Sequence, residues 1–218
     1  MIRKRGFLKY FSETIIKMPI IRNIFVIFIL ELIIPFIIED QWMIRIILFA
    51  NIFVIYAIAF DLLAGYAGLV SFGHSLFFGG AGYMSALLSL HLGLPLLLCI
   101  FAGCISAFLM SLILGYVCLR LKGPYLAVAT FICPLTLISI VNLSPTFLGG
   151  DNGIAGFAQI ADGSLIAQYH IILGVTLASF IVVIMLARGN TGLLLKTIRE
   201  DDIGAEAAGI YPRRLRTA

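Results

Sequence analysis

Residues 42–83 read WMIRIILFANIFVIYAIAFDLLAGYAGLVSFGHSLFFGGAGY, an apolar run whose character changes at Asp61. From residue 42 to about 64 it is long and apolar enough to cross a bilayer as one helix. After Asp61 come six glycines (Gly65, Gly68, Gly73, Gly79, Gly80 and Gly82), Ser71, Ser75 and His74, with no further charge. Each glycine costs a helix about 1 kcal/mol against alanine, so an unbroken helix here is disfavoured. Within a membrane, irregular backbone survives only where protein or a water-filled cavity covers it. Broken helices of that kind present free backbone groups to a solute. On this reading Asn51, Asp61, Gly65, Gly68, Ser71, Gly73, His74 and Ser75 are candidate pathway residues. The same stretch also suits a tight cytoplasmic turn followed by a glycine-rich packing helix.

The rest of the chain is of one kind with this run. Hydrophobic residues make up 61% of the 218 and charged residues 12%, and the mean hydropathy is +1.11. Globular domains sit near 45–50% apolar and about 25% charged, so this much apolar surface requires lipid. An all-α polytopic membrane protein of about six helices is predicted, with spans near 20–38, 42–64, 74–91, 94–118, 125–143 and 169–187. The net charge of +4 reflects Lys and Arg beside apolar runs and does not point to nucleic acid. Six lie in the arm ending at Arg22, two at Arg120 and Lys122, and six between 188 and 216, whereas 91–94 and 144–168 hold none. Alternating six spans puts these clusters on one side, so the N-terminus and the end of the chain are expected in the cytoplasm. The basic start resembles a signal peptide, but no small-residue cleavage site follows, and a retained first helix is expected.

Three further patterns stand out. Gly103, Ala107, Ser111 and Gly115 form a stripe of small residues on one span, suited to close helix packing. The 144–168 connection carries Gly149-Gly150-Asp151-Asn152-Gly153, a turn-rich outer loop suited to meeting a delivery protein. It follows no strand and is not a phosphate loop. Residues 188–216 are polar and helix-prone, and a soluble partner would need such a segment outside the bilayer. Glu31 and Asp61 are costly in lipid and offer proton-relay groups, although Asp61 is expected instead to cap the glycine-rich turn. Cys99, Cys104, Cys118 and Cys133 all lie in apolar segments without metal-ligand spacing. No GxxxxGK[ST] or HExxH occurs, and Ser71 with His74 makes a poor nucleophile–base pair because the two are so close in sequence.

The stretch AIAFDLLAGYAGLVSFGHSLFFGGAGYMSALL (57–88) resembles the signature of branched-chain amino-acid ABC transporter permeases of the LivM type. RLKGPYLAVATF (120–131), GGDNGI (149–154) and GLLLKTIREDDIGAEAAGI (192–210) fit the same family in the same order. The resemblance implies a multi-pass subunit of the inner (plasma) membrane that pairs with a second, related permease. Two ABC ATPase subunits would bind ATP and Mg on the cytoplasmic side, with no cofactor on this chain and no enzyme activity of its own. A periplasmic or extracellular amino-acid-binding protein would deliver the solute to the outer loop. The segment from Ile198 to Gly209 would be the coupling helix, with Arg199, Glu200, Asp201, Asp202 and Glu206 facing the ATPase. Glu206-Ala207-Ala208 abuts Gly209, so the family's EAA pattern is out of register here.

The expected organisation is therefore a basic arm (1–19), a permease core (20–187) and a coupling segment (188–218). Family members continue past this last segment with further spans, so the chain is expected to be truncated. Urea, short amides or other small polar solutes are alternative cargoes. A proton-coupled secondary transporter using Glu31 and Asp61, and an intramembrane hydrolase using Ser71 and His74, are the competing classes.

Overall fold

The computed structural model describes residues 19–118, 121 and 124–200. Among them the structure is all-helical and has no strand. Helix α1 spans Pro19–Ile37, α2 Gln41–Asp61, α3 His74–Leu92, α4 Leu96–Cys118, α5 Pro124–Leu143, α6 Leu165–Arg188 and α7 Asn190–Glu200. Five helical segments are long and apolar enough to cross a membrane: Gln41–Tyr66, His74–Leu92, Leu96–Cys118, Pro124–Leu143 and Leu165–Arg188. The 19-residue α1 precedes them where the first span is expected. Phe53, Phe101, Ile113 and Leu143 are 67%, 64%, 69% and 83% exposed, which is the surface of a protein dissolved in lipid rather than water.

Local chemistry sets the helix ends. Asp40 accepts the Trp42 amide at 2.9 Å and caps α2, a contact typically worth about 1 kcal/mol. Gly93 ends α3 in the left-handed conformation, and Pro124 opens α5, where the missing N–H is no loss.

The principal packings form two groups. In the first, α2 packs on α6 and α1 lies against α6. Ile44, Tyr169 and Leu173 form its core. Tyr169 donates its phenol to the Glu31 carbonyl at 2.9 Å. Thr176 donates to Ile172 O at 2.8 Å, with Asn51 O at 3.4 Å.

In the second group α3 and α4 form a tight hairpin with α5 beside it. Its closest approach is at Gly103, where a Cβ would collide with Ser85 Oγ and with the Ala81 carbonyl. Ser85 Oγ also donates to Ala81 O and Cys99 O, both at 2.9 Å. Lipid offers no hydrophobic drive between helices, so close backbone approach and buried hydrogen bonds hold this pair together.

Helix bounds differ from expectation at α6, which begins four residues earlier, at Leu165. Ser164 is its N-cap, and the Gln168 backbone amide closes the first turn on Ser164 O at 2.9 Å while its side chain donates back to Ile160 O at 3.2 Å.

Candidate functional site

The chain joins its two packing groups through the segment after Asp61. There α2 widens into a π-helical turn, Leu62–Tyr66, and the chain runs without regular helix until α3 starts at His74. A π turn frees backbone carbonyls from their usual partners and is often found at functional sites. Several polar groups of this break find partners. The Phe72 amide donates to Thr130 Oγ1 on α5 at 3.0 Å, and Thr130 is 2% exposed. The Gly73 amide donates to Ser71 Oγ at 3.2 Å, and Ser75 Oγ donates to Phe72 O at 3.1 Å. His74 Nδ1 lies 3.3 Å from Ser71 O. Its ring sits among Phe60, Tyr56 and Phe77, with centroids 5.6, 5.9 and 6.4 Å away.

The other face of the break is held by α7. Arg199 Nη1 donates to the Gly65 carbonyl. Lys196 Nζ sits 5.1 Å from the centre of the Tyr66 ring, a cation–π contact. Gly68 has φ +68°, and a Cβ there would lie 2.8 Å from Arg199 Cγ, so only glycine lets the arginine stem pass. Ile198, 1% exposed, anchors the helix, while Lys196, Thr197, Arg199 and Glu200 face outward. Thus α7 is amphipathic. It begins at Asn190, inside the expected coupling segment (188–218) and eight residues ahead of the expected coupling helix (Ile198–Gly209). Asp201, Asp202, Glu206, Ala207, Ala208 and Gly209 lie outside the described residues, as do residues 1–18, Arg120 and Lys122.

The structure separates the sequence-predicted pathway residues into three places. Gly65, Gly68, Ser71, Gly73 and His74 belong to the break. The second place is the seam between α2 and α6, which also holds Asp61; there Asn51 is buried and its side chain donates to Ile47 O at 3.1 Å. Asp61, expected to cap the turn, makes no capping hydrogen bond. The reason is that the π turn continues the helix past it, so no free N–H faces the carboxylate. Instead the carboxylate lies over Gly65, and Asp61 and Tyr66 line a crevice of about 310 Å³ against α6.

Ser75 lies in the third place, a cleft of about 530 Å³ between α3 and α5. Phe131, Pro134, Leu135, Ile138 and Val141 form its apolar wall, and Tyr83, Asn142 and Asp151 line it too. The loop holding Gly149–Gly153, expected on the outer side, closes one end. Gly149, Gly150 and Gly153 all have positive φ, and the Gly150–Asn152 stretch is a 3₁₀ turn. His91 at the end of α3 stacks on Phe147 at 5.0 Å, and Ser89 Oγ accepts the Ala158 amide at 3.0 Å. Both contacts seat the loop on α3.

Thr130, Tyr66, Tyr83 and Asn142 were not singled out from sequence. Thr130 had one signal, as it falls inside RLKGPYLAVATF. Among the described residues no three His, Cys, Asp or Glu side chains come together.

A family described as "Branched-chain amino acid transport system / permease component" matches residues 42–218. The high-affinity branched-chain amino acid transport system permease protein LivM of Escherichia coli (strain K12) is 25% identical over 194 residues, covering 76% of this chain and 45% of the relative. The protein of the same name from Salmonella typhimurium (strain LT2) is 26% identical over 195 residues, with the same two shares. The chain thus spans about half the length of the curated relatives it matches. No solved structure matches it. With the family match running from the second helix to the last residue, through the break, the outer loop and α7, this chain belongs to the branched-chain amino acid transport system permease component family.

Proposed function

We propose that the chain is a membrane-spanning subunit of an ABC importer that carries branched-chain amino acids across the inner membrane, driven by ATP hydrolysis on partner subunits. The observation that carries the reading is the clamp on the break. A polar helix at one end of the bundle grips the Gly65 carbonyl, and the same break is tied to α5 through Thr130. A push on α7 from outside the bilayer reaches the foot of α3 through these contacts, the kind of packed, two-sided element that rocks between arrangements. The Lys and Arg distribution supports a cytoplasmic position for α7 and for the N-terminus.

The partners proposed are a second related permease, two ABC ATPases holding ATP and Mg, and an external amino-acid-binding protein at the Gly149–Gly153 loop. Arg199 and Glu200 are the described charges that would meet the ATPase, where complementary charge sets partner choice more than affinity. The names of the relatives support leucine, isoleucine or valine as cargo. Urea and short amides are the alternative cargoes, and a proton-coupled carrier is the alternative mechanism.

Reconstitution of the chain with these partners in vesicles separates the readings. Labelled leucine should accumulate only with Mg-ATP on the ATPase side. Accumulation driven by a pH gradient without nucleotide would overturn the ABC reading. ATP-driven uptake of urea but not leucine would overturn the cargo alone.

A further inference from the structure

Apart from the Ser75 hydroxyl, which donates to Phe72 O, no polar side chain lining the cleft between α3 and α5 takes part in the hydrogen bonds that hold the break. It runs along α3 from Ser75, beside the break, past Gly79 to Tyr83 and on to the outer loop. Ser75 and Tyr83 are about 12 Å apart along the helix axis, so the cleft connects the break with the opposite end of the bundle. Its volume of about 530 Å³ lies within the range of small-molecule sites. Its wall is aliphatic, from Leu135, Ile138 and Val141, and Pro134 interrupts the hydrogen-bond ladder of α5 there.

Three polar side chains line this largely apolar cleft without protein partners, Tyr83 half-buried and Asn142 and Asp151 exposed at its mouth. Among the described residues Tyr83, Asn142 and Asp151 make no side-chain hydrogen bond or ion pair. Tyr83 stands in the middle of a membrane-length helix, where an unmet hydroxyl is costly. Asp151 is the only ionisable carboxylate lining this cleft. A zwitterion with an aliphatic side chain answers all of these features. Its ammonium suits the Asp151 carboxylate, its carboxylate accepts from Tyr83 and Asn142, and its alkyl group covers the wall.

We propose that the α3–α5 cleft binds the aliphatic amino acid, with Asp151 at its outer mouth taking the ammonium group. The inference rests on the proposed amino-acid transport and assigns it a place. It separates Asp151 from the rest of the outer loop, whose role is contact with the delivery protein.

The test uses the assembled transporter in nanodiscs, without the binding protein, and saturation-transfer NMR. The probes are L-leucine and 4-methylpentanoate, which is leucine without its amino group. Wild type should bind leucine more tightly than 4-methylpentanoate. Asp151→Asn should weaken leucine about tenfold, the scale of one lost charge-assisted contact, and leave 4-methylpentanoate unchanged. Asp151 lies on an exposed loop turn, so this variant keeps its fold. Ile138→Trp, which fills the cleft, should remove both signals, and Ile138→Val should restore them. Leucine binding by Asp151→Asn equal to wild type would overturn the assignment. ATP-driven leucine uptake without any cleft binding would overturn it while leaving the transport reading standing. Binding that persists without ATP-driven uptake would do the reverse.

Discussion

Replacing Thr130 by valine removes one hydroxyl and keeps the side-chain shape. In the native structure that hydroxyl accepts the Phe72 amide at 3.0 Å, in the one stretch between α2 and α3 where the backbone has no helix to satisfy it. It also donates to Leu126 O at 2.8 Å and to Ala127 O at 3.1 Å, but those carbonyls already accept within α5. The loss therefore falls on the Phe72 N–H. Thr130 is 2% exposed and its bond to the Phe72 amide is part-buried, so little water replaces the hydroxyl, and an orphaned amide there costs about 1–3 kcal/mol. The break should open more often by about 5- to 150-fold. Amide hydrogen exchange over residues 67–76, in detergent or nanodiscs, reads this directly. Thr130→Ser keeps the hydroxyl and should retain most of the protection, although it loses a methyl worth about 1 kcal/mol of packing. Unchanged exchange in Thr130→Val, or equal loss in both variants, would refute the claim that this hydrogen bond holds the break.

Two further substitutions probe the neighbouring contacts. Gly68→Ala places a side chain at φ +68° and within 2.8 Å of Arg199 Cγ, a left-handed cost of about 1–2 kcal/mol before the clash is counted. It should loosen α7, so trypsin should cut at Lys196 and Arg199 several times faster, and an unchanged rate would count against the clamp. Gly103→Leu should split the α3–α4 hairpin and lower the thermal midpoint by several degrees, whereas Gly174→Leu, with nothing within 4 Å, should be tolerated. Equal effects of the two would contradict the packing account.

The helical spans were legible because their signal is local. Uninterrupted apolar runs and their Gly, Pro and charged breaks predict 74–91 and 125–143, and the helices run His74–Leu92 and Pro124–Leu143. The break itself was visible in the glycines after Asp61. What holds it was not, because Phe72 and Thr130 are 58 residues apart and Gly65 and Arg199 are 134 apart. No periodicity reports a pairing of that kind. The role expected of Asp61 failed for a local reason of another sort. A π turn is not written in hydrophobic pattern, and it carried the helix past the residue expected to end it. Tyr83 and Asn142 escaped notice because one polar residue in an apolar helix reads as neutral until the opposite wall of its cleft is known.

In the proposed function α7 transmits work to the break through Arg199. Because Arg199 is exposed, its hydrogen bond to the Gly65 carbonyl is discounted for solvent to about 1 kcal/mol, or roughly fivefold in coupling. The direct measurement is leucine taken up per ATP hydrolysed in vesicles holding the complete transporter, for wild type and Arg199→Ala. This ratio should fall about fivefold while the ATPase subunits remain bound, with Arg199→Lys intermediate. An unchanged ratio with the complex intact would contradict it.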